Sequence, residues 1–73
     1  MALGDNIRIA RKKALMTQVD LANKLGVKQH QITRWENDQA EPRLSTIKKI
    51  AEITGTPLIN LITDEEEAEN ERI

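Results

Sequence analysis

Apolar residues recur at helical spacing along most of the chain, and the breaks in that pattern divide it into five segments. Leu3, Ile7, Ala10 and Ala14 mark a first helix over about Leu3 to Lys13. A second begins at Thr17, where Thr17-x-x-Asp20 has the spacing of a capping box: hydroxyl and carboxylate each satisfy a backbone N–H left open at a helix start. It turns Leu21, Ala22 and Leu25 inward and stops at Gly26, which reaches a left-handed turn without a Cβ clash. A third helix covers about Lys28 to Asn37, followed by a six-residue loop closed by Pro42 and Arg43. The fourth, about Leu44 to Thr54, places Leu44, Ile47, Ile50 and Ala51 on one face and ends at Gly55. The fifth opens on Thr56-Pro57, read as a capping threonine with proline at the first helical position, and runs through Leu58, Leu61 and Ile62. Nothing alternates as a strand would, so the expected fold is all-α, a compact five-helix domain.

The third segment has two chemically different sides. Residues three and four apart share a helix face, which gathers Gln29, His30, Thr33, Arg34 and Asn37 into one polar stripe and turns Ile32, Trp35 and Glu36 inward. Amides, an imidazole and a guanidinium are groups that hydrogen-bond to base edges in a DNA major groove. Gln31 points between the two faces. Small Ala22, permissive Gly26, and Val27, Ile32 and Trp35 behind the third helix have the spacing of a helix–turn–helix, although an ordinary helical hairpin has it too. Trp35, the sole aromatic, belongs to the core by periodicity. Glu36 is a carboxylate on the buried side and requires a partner.

Charge sharpens this picture. The net −1 hides an asymmetry, because residues 64–73 carry six acids and one base, leaving ten bases and six acids in residues 1–63. The chain therefore divides into a mildly basic domain, 1–63, as nucleic-acid binding needs, and an acidic C-terminal tail, 64–73. The tail reads as a frayed, solubilising segment or an extension of the last helix, with an electrostatic DNA mimic as the alternative.

Other chemistry is excluded early. At 73 residues there is room for one domain with a small core. The chain has no cysteine and one histidine, so no disulfide, thiolate site or multi-histidine metal cluster is expected, and no cofactor. A catalytic triad has no basis here, and the three glycines form no phosphate-binding loop. No run approaches the ~18 apolar residues of a membrane span, and the N-terminus lacks a signal-peptide layout. A non-enzymatic cytoplasmic protein is the expectation.

Arg11, Thr17-Gln18, Leu21-Ala22, Leu25-Gly26-Val27, Ile32, Trp35-Glu36-Asn37, Pro42 and Leu58…Leu61-Ile62 together closely resemble the lambda-repressor and Cro-like helix–turn–helix family, over about residues 7 to 62. The resemblance implies a five-helix DNA-binding fold and a regulator of transcription, usually a repressor, that binds double-stranded DNA as a homodimer on a near-palindromic operator, associated with the nucleoid. Carried over position by position, it implies base reading by Gln29, His30 and Arg34. It implies phosphate contact or positioning by Gln18, Lys28, Thr33, Asn37 and Arg43, with Gln18 also bracing a side chain of the third helix. Arg11 and Glu36 match a partly buried structural ion pair.

Four departures from the family pattern carry expectations of their own. Lys28 replaces the usual capping serine or threonine of the third helix, which weakens the cap but offers a charge to a phosphate. Leu15 stands where glycine is common, so the turn there is expected to be strained or differently shaped. Thr54 replaces a usual leucine and trims the core. Ile9, Ile53 and Ile59 fall at positions usually left exposed, as scattered surface residues or as a dimer seam built mainly from Ile53 and Ile59. A protein-interaction module, such as an antitoxin or co-regulator using the same fold, stands as the alternative function.

Overall fold

The computed structural model describes residues 2–63, and the acidic segment 64–73 lies outside the described residues. Five helices follow one another: α1 Ala2–Lys13, α2 Gln18–Leu25, α3 Gln29–Glu36, α4 Leu44–Thr54 and α5 Leu58–Ile62. α1 packs against α3, α4 and α5, while α2 packs against α3 and α4. Ile7 and Ala10 of α1, Leu21 and Ala22 of α2, Ile32 and Trp35 of α3, Ile47, Ile50 and Ala51 of α4 and Leu61 of α5 form one buried cluster. Leu3, Leu25, Val27, Ile53 and Leu58 lie against it, partly buried. The helical periodicity thus identified most of the core, but Ile62 is 50% exposed and Leu44 is 56% exposed. Leu44 opens α4, where the inward direction it shares with Ile47 and Ala51 meets too little of the neighbouring helices to cover it.

Four helices end in the same way. After α1, α2, α3 and α4 the chain places Leu15, Gly26, Asp38 and Gly55 at φ 59°, 72°, 57° and 71°. Each of these donates its N–H to the carbonyl three residues back, and the next residue donates to the carbonyl five residues back. The longer bonds are Met16 to Arg11, Val27 to Ala22, Gln39 to Arg34 and Thr56 to Ala51. These paired bonds satisfy carbonyls that a helix end would leave open, and they demand a left-handed residue. Glycine takes that conformation freely, Asp38 with a small cost, and Leu15 with a larger one because its Cβ crowds the following carbonyl. Leu15 is also 91% exposed, so no packing offsets its strain. The turn after α1 therefore keeps the shape a glycine would give it, with strain added.

The helix starts differ more. Thr17 Oγ1 accepts from the Asp20 N–H at 3.0 Å and Asp20 Oδ2 accepts from the Thr17 N–H at 2.9 Å, completing the box ahead of α2. α5 begins one residue later than the Thr56-Pro57 signal implied. Pro57, at ψ 139°, is still extended and flanks the helix, with no side-chain cap. Thr56 is already engaged by its backbone N–H in closing α4. Thr54, the expected gap in the core, is half-buried and returns its hydroxyl to the Ile50 carbonyl at 2.7 Å.

The approach of α1 to the end of α3 depends on Gly4, which is buried. A Cβ there would lie 2.6 Å from the Glu36 carbonyl oxygen and 2.8 Å from both the Trp35 carbonyl oxygen and Asp38 Oδ1. The Gly4 N–H meanwhile donates to Asp38 Oδ1 at 3.2 Å. Two of the three obstacles are backbone and cannot swing aside. Gly4→Ala should therefore cost a net ~1–2 kcal/mol, although alanine is the better helix former. A thermal or denaturant melt checks this, and an unchanged or raised midpoint would mean that α1 is free to move away from α3.

Candidate nucleic-acid interface

Burial sorts α3 into the two sides its sequence indicates. Ile32, Trp35 and Glu36 are buried, Gln29, His30 and Arg34 are exposed, and Thr33 and Gln31 are intermediate. Lys28 and Asn37, placed at the helix ends by the sequence, flank it as its caps. Lys28 has no acceptor with which to cap α3, so the start of the helix rests on half a box: Gln31 Oε1 accepts from the Lys28 N–H at 3.3 Å. That leaves the Lys28 ammonium unneeded for capping and gives Gln31 a structural task.

Glu36 anchors the inner side. It is 2% exposed and Arg11 8%. Arg11 Nε donates to Glu36 Oε2 at 2.6 Å and Arg11 Nη2 to Oε1 at 3.0 Å, a two-point clamp, while Nη1 donates to the Met16 carbonyl at 2.9 Å. Gln18 Nε2 adds a bond to Oε1 at 3.1 Å. Burial pushes the Glu36 carboxyl upward, but hydrogen bonds from Arg11 and Gln18 and the charges of Arg11 and Arg8 outweigh it and hold the group below its ordinary value. The bond to Glu36 raises Arg11 in turn, against the opposing effect of burial. The Arg11–Glu36 pair joins α1 to α3.

Arg8 is the residue that sequence reasoning missed. Its Nη2 donates to the Glu36 carbonyl at 3.1 Å and to Asn37 Oδ1 at 3.2 Å, and its Nε lies 3.5 Å from Glu36 Oε1. Its Nη1 also pairs with Asp5 at 3.5 Å. The signal was its position one helical turn before Arg11, which puts both guanidinium groups on one face of α1.

Gln18 also reaches the polar side of α3. Its Oε1 accepts from Thr33 Oγ1 at 2.8 Å and from Gln29 Nε2 at 3.5 Å. Thr33 has one hydroxyl proton, and with it committed to Gln18 its expected contact with a phosphate requires that bond to break. Arg43 is exposed and flanks α4 beside buried Pro42. Of the dimer candidates, Ile53 is partly buried against the domain's own core, whereas Ile59 is 58% exposed, with Ile9 and Ile62 also open to solvent. No helix among the described residues is long and apolar enough to cross a membrane.

The arrangement is a two-helix unit, α2 and α3 around Gly26, whose second helix has Gln29, His30 and Arg34 exposed among the described residues. A helix–turn–helix family model matches residues 7–61, and the chain belongs to that family. It is 30% identical over 67 residues to the cryptic phage CTXphi transcriptional repressor RstR of Vibrio cholerae, covering 92% of this chain and 60% of that protein. It is 31% identical over 65 residues to the immunity repressor protein of Bacillus phage phi105, covering 89% of this chain and 45% of that protein. The chain therefore spans only about half to three fifths of these relatives. The crystal structure of the hypothetical transcription factor NHTF from Neisseria superposes with a TM-score of 0.82 at 25% identity, over 94% of this chain and 79% of that one.

Two stability tests follow from the ion pair. Arg11→Ala strands the buried Glu36 carboxylate and should cost on the order of 3 kcal/mol in a denaturant melt; a loss under ~0.5 kcal/mol would count against the pair's role. Because Glu36 is held below its ordinary value of 4.5, its contribution is complete above that pH and fades as pH falls through the lower folded-state value. Glu36→Gln should accordingly be less stable than the parent at pH 7 but lose less on acidification below pH 4.5. Melts across pH 3 to 7 compare the two slopes, and parallel curves would rule this linkage out.

Proposed function

We propose that this protein is a sequence-specific double-stranded DNA-binding regulator of transcription, acting as a repressor, that inserts α3 into the major groove. The observation carrying this reading is the exposed row Gln29, His30 and Arg34 on the side of α3 opposite its buried Ile32, Trp35 and Glu36. Gln29 suits an adenine edge and Arg34 a guanine edge, with His30 reading between them. Lys28, Asn37 and Arg43, exposed around that row, contact phosphates. Gln18 contributes the Nε2 proton not used by Glu36, and Thr33 holds Gln18 in place. Both similar phage proteins are named as repressors, which favours repression over activation.

Two copies bind together on a near-palindromic operator, placing their α3 helices in successive major grooves about 34 Å apart. The exposed isoleucines near α5, Ile59 foremost, form the seam between copies, with Ile53 supporting it from beneath. The site of action is the cytoplasmic nucleoid.

Selection of bound duplexes from random DNA tests the whole reading, because it returns base preference and half-site spacing together. A near-palindrome with half-sites one helical turn apart is expected, with affinity falling steeply as salt rises. Gln29→Ala or Arg34→Ala should each cost ~1–3 kcal/mol on the selected duplex and relax preference at one base pair. If both variants rank all duplexes as the parent does, α3 is not the reading helix.

A further inference from the structure

The C-terminal end of a helix is an unfavourable place for a DNA phosphate. Its last carbonyls lack partners within the helix and carry the negative end of the helix dipole. Asn37 caps that end of α3 and is exposed, and the four-residue spacing Gln29, Thr33, Asn37 keeps it on their side of the helix. Arg8 changes the chemistry there. Its Nη2 donates to the Glu36 carbonyl at 3.1 Å and to Asn37 Oδ1 at 3.2 Å. A guanidinium only donates, so the end of the Asn37 amide that meets it must be the oxygen. The Asn37 NH2 group is thereby turned away from Arg8, and no hydrogen bond among the described residues uses it. The same guanidinium gives a partner to a carbonyl that would otherwise repel an anion. It does so without adding net charge. Its Nε lies 3.5 Å from Glu36 Oε1 and its Nη1 3.5 Å from Asp5 Oδ1, so Arg8 and Arg11 are balanced by Glu36 and Asp5.

We propose that Arg8 is a positioning residue for a phosphate of the DNA backbone, turning the NH2 group of Asn37 outward to donate while masking the Glu36 carbonyl. The phosphate binds Asn37 and not Arg8, whose donors are committed within the domain. The proposal rests on α3 being the groove helix and deepens that reading. An untethered Asn37 offers its oxygen as readily as its nitrogen, and a carbonyl oxygen beside a phosphate only repels. The two ends of α3 thus hold the backbone by different means. Lys28 at the start brings a positive charge that displaces counterions, so its contact weakens with salt. Asn37 at the other end brings a neutral donor, and its contact is nearly indifferent to salt.

Asp5→Asn combined with Arg8→Met tests this, since the pair removes the tether, keeps the net charge and leaves the Arg11 clamp on Glu36 in place. A thermal melt confirms folding. In the free parent the Asn37 side-chain NH2 protons should be motionally restricted, and in the variant averaged toward free-amide behaviour. On the selected duplex the variant should bind about tenfold more weakly, by the same factor whichever base pair is altered. Asn37→Ala alone should cost a similar factor, and adding it to the variant should cost less than about twofold more. The slope of log affinity against log salt should stay unchanged in both, whereas Lys28→Ala should reduce it by about one. Additive losses would overturn the proposal, because Arg8 and Asn37 would then act apart. A slope reduced by about one in the Arg8 variant would make Arg8 the phosphate ligand and overturn it equally. Freely averaging Asn37 protons in the parent would overturn the tether without recourse to any variant. Absence of duplex binding by the parent would overturn the groove reading and the phosphate contact with it, while the Asn37 resonances still decide whether Arg8 holds the amide.

Discussion

The bidentate bond between Arg11 and Glu36 is the constraint on which the placement of α3 and its exposed face depends. Burying two opposite charges recovers little net stability, because desolvation offsets most of their attraction. What such a pair does supply is geometry, since a buried charge displaced from its partner is severely penalised. Here the penalty fixes α3 against α1. The same guanidinium reaches the Met16 carbonyl, so the turn leading into α2 is tied to the joint as well. Three helices are thus set relative to one another by the hydrogen bonds of one guanidinium and one carboxylate.

The outer face inherits that order. Gln18 touches Glu36 on one side and Thr33 and Gln29 on the other, and Arg8 ties the last turn of α3, through Glu36 and Asn37, to α1. Side chains facing solvent are therefore oriented by groups that do not face it. Such support limits the rotamer freedom of the exposed amides before any ligand arrives, which lowers the entropy lost on binding. Gly4 contributes from the opposite direction, because only a residue without a Cβ lets α1 lie against the backbone at the end of α3.

Much of this was legible in the chain. Periodicity identified the helices and most of the core, because burial of apolar side chains at helical spacing is a local signal repeated many times. Thr17 and Asp20 declared the start of α2, and Gly26 and Gly55 declared two helix ends. Leu15 announced a strained turn only through its departure from a family pattern, and Asp38 gave no comparable notice, although both adopt the left-handed conformation that glycine adopts elsewhere. The demand at those sites comes from the path between helices and not from the residue. Leu44 shows the complementary error: its periodicity gives a direction, but whether anything lies in that direction depends on another helix. Pro57 likewise carries a helix-start preference that the closing bonds of α4 displace by one residue.

The sequence by itself determined the helical class, the two-sided character of α3, the opposite net charges of residues 1–63 and 64–73, and the need of Glu36 for a partner. Each of these follows from side-chain chemistry and spacing within a few turns of helix. The tertiary structure alone decided that Arg8 joins Arg11 at Glu36, that Gly4 is a point of close approach, that Ile53 is partly covered and Ile59 open, and that Gln18 links a buried charge to an exposed amide. Those facts concern residues from 11 to 34 positions apart in the chain. Contacts across such separations are set by how whole helices pack, and no local pattern in the chain encodes the distance between them.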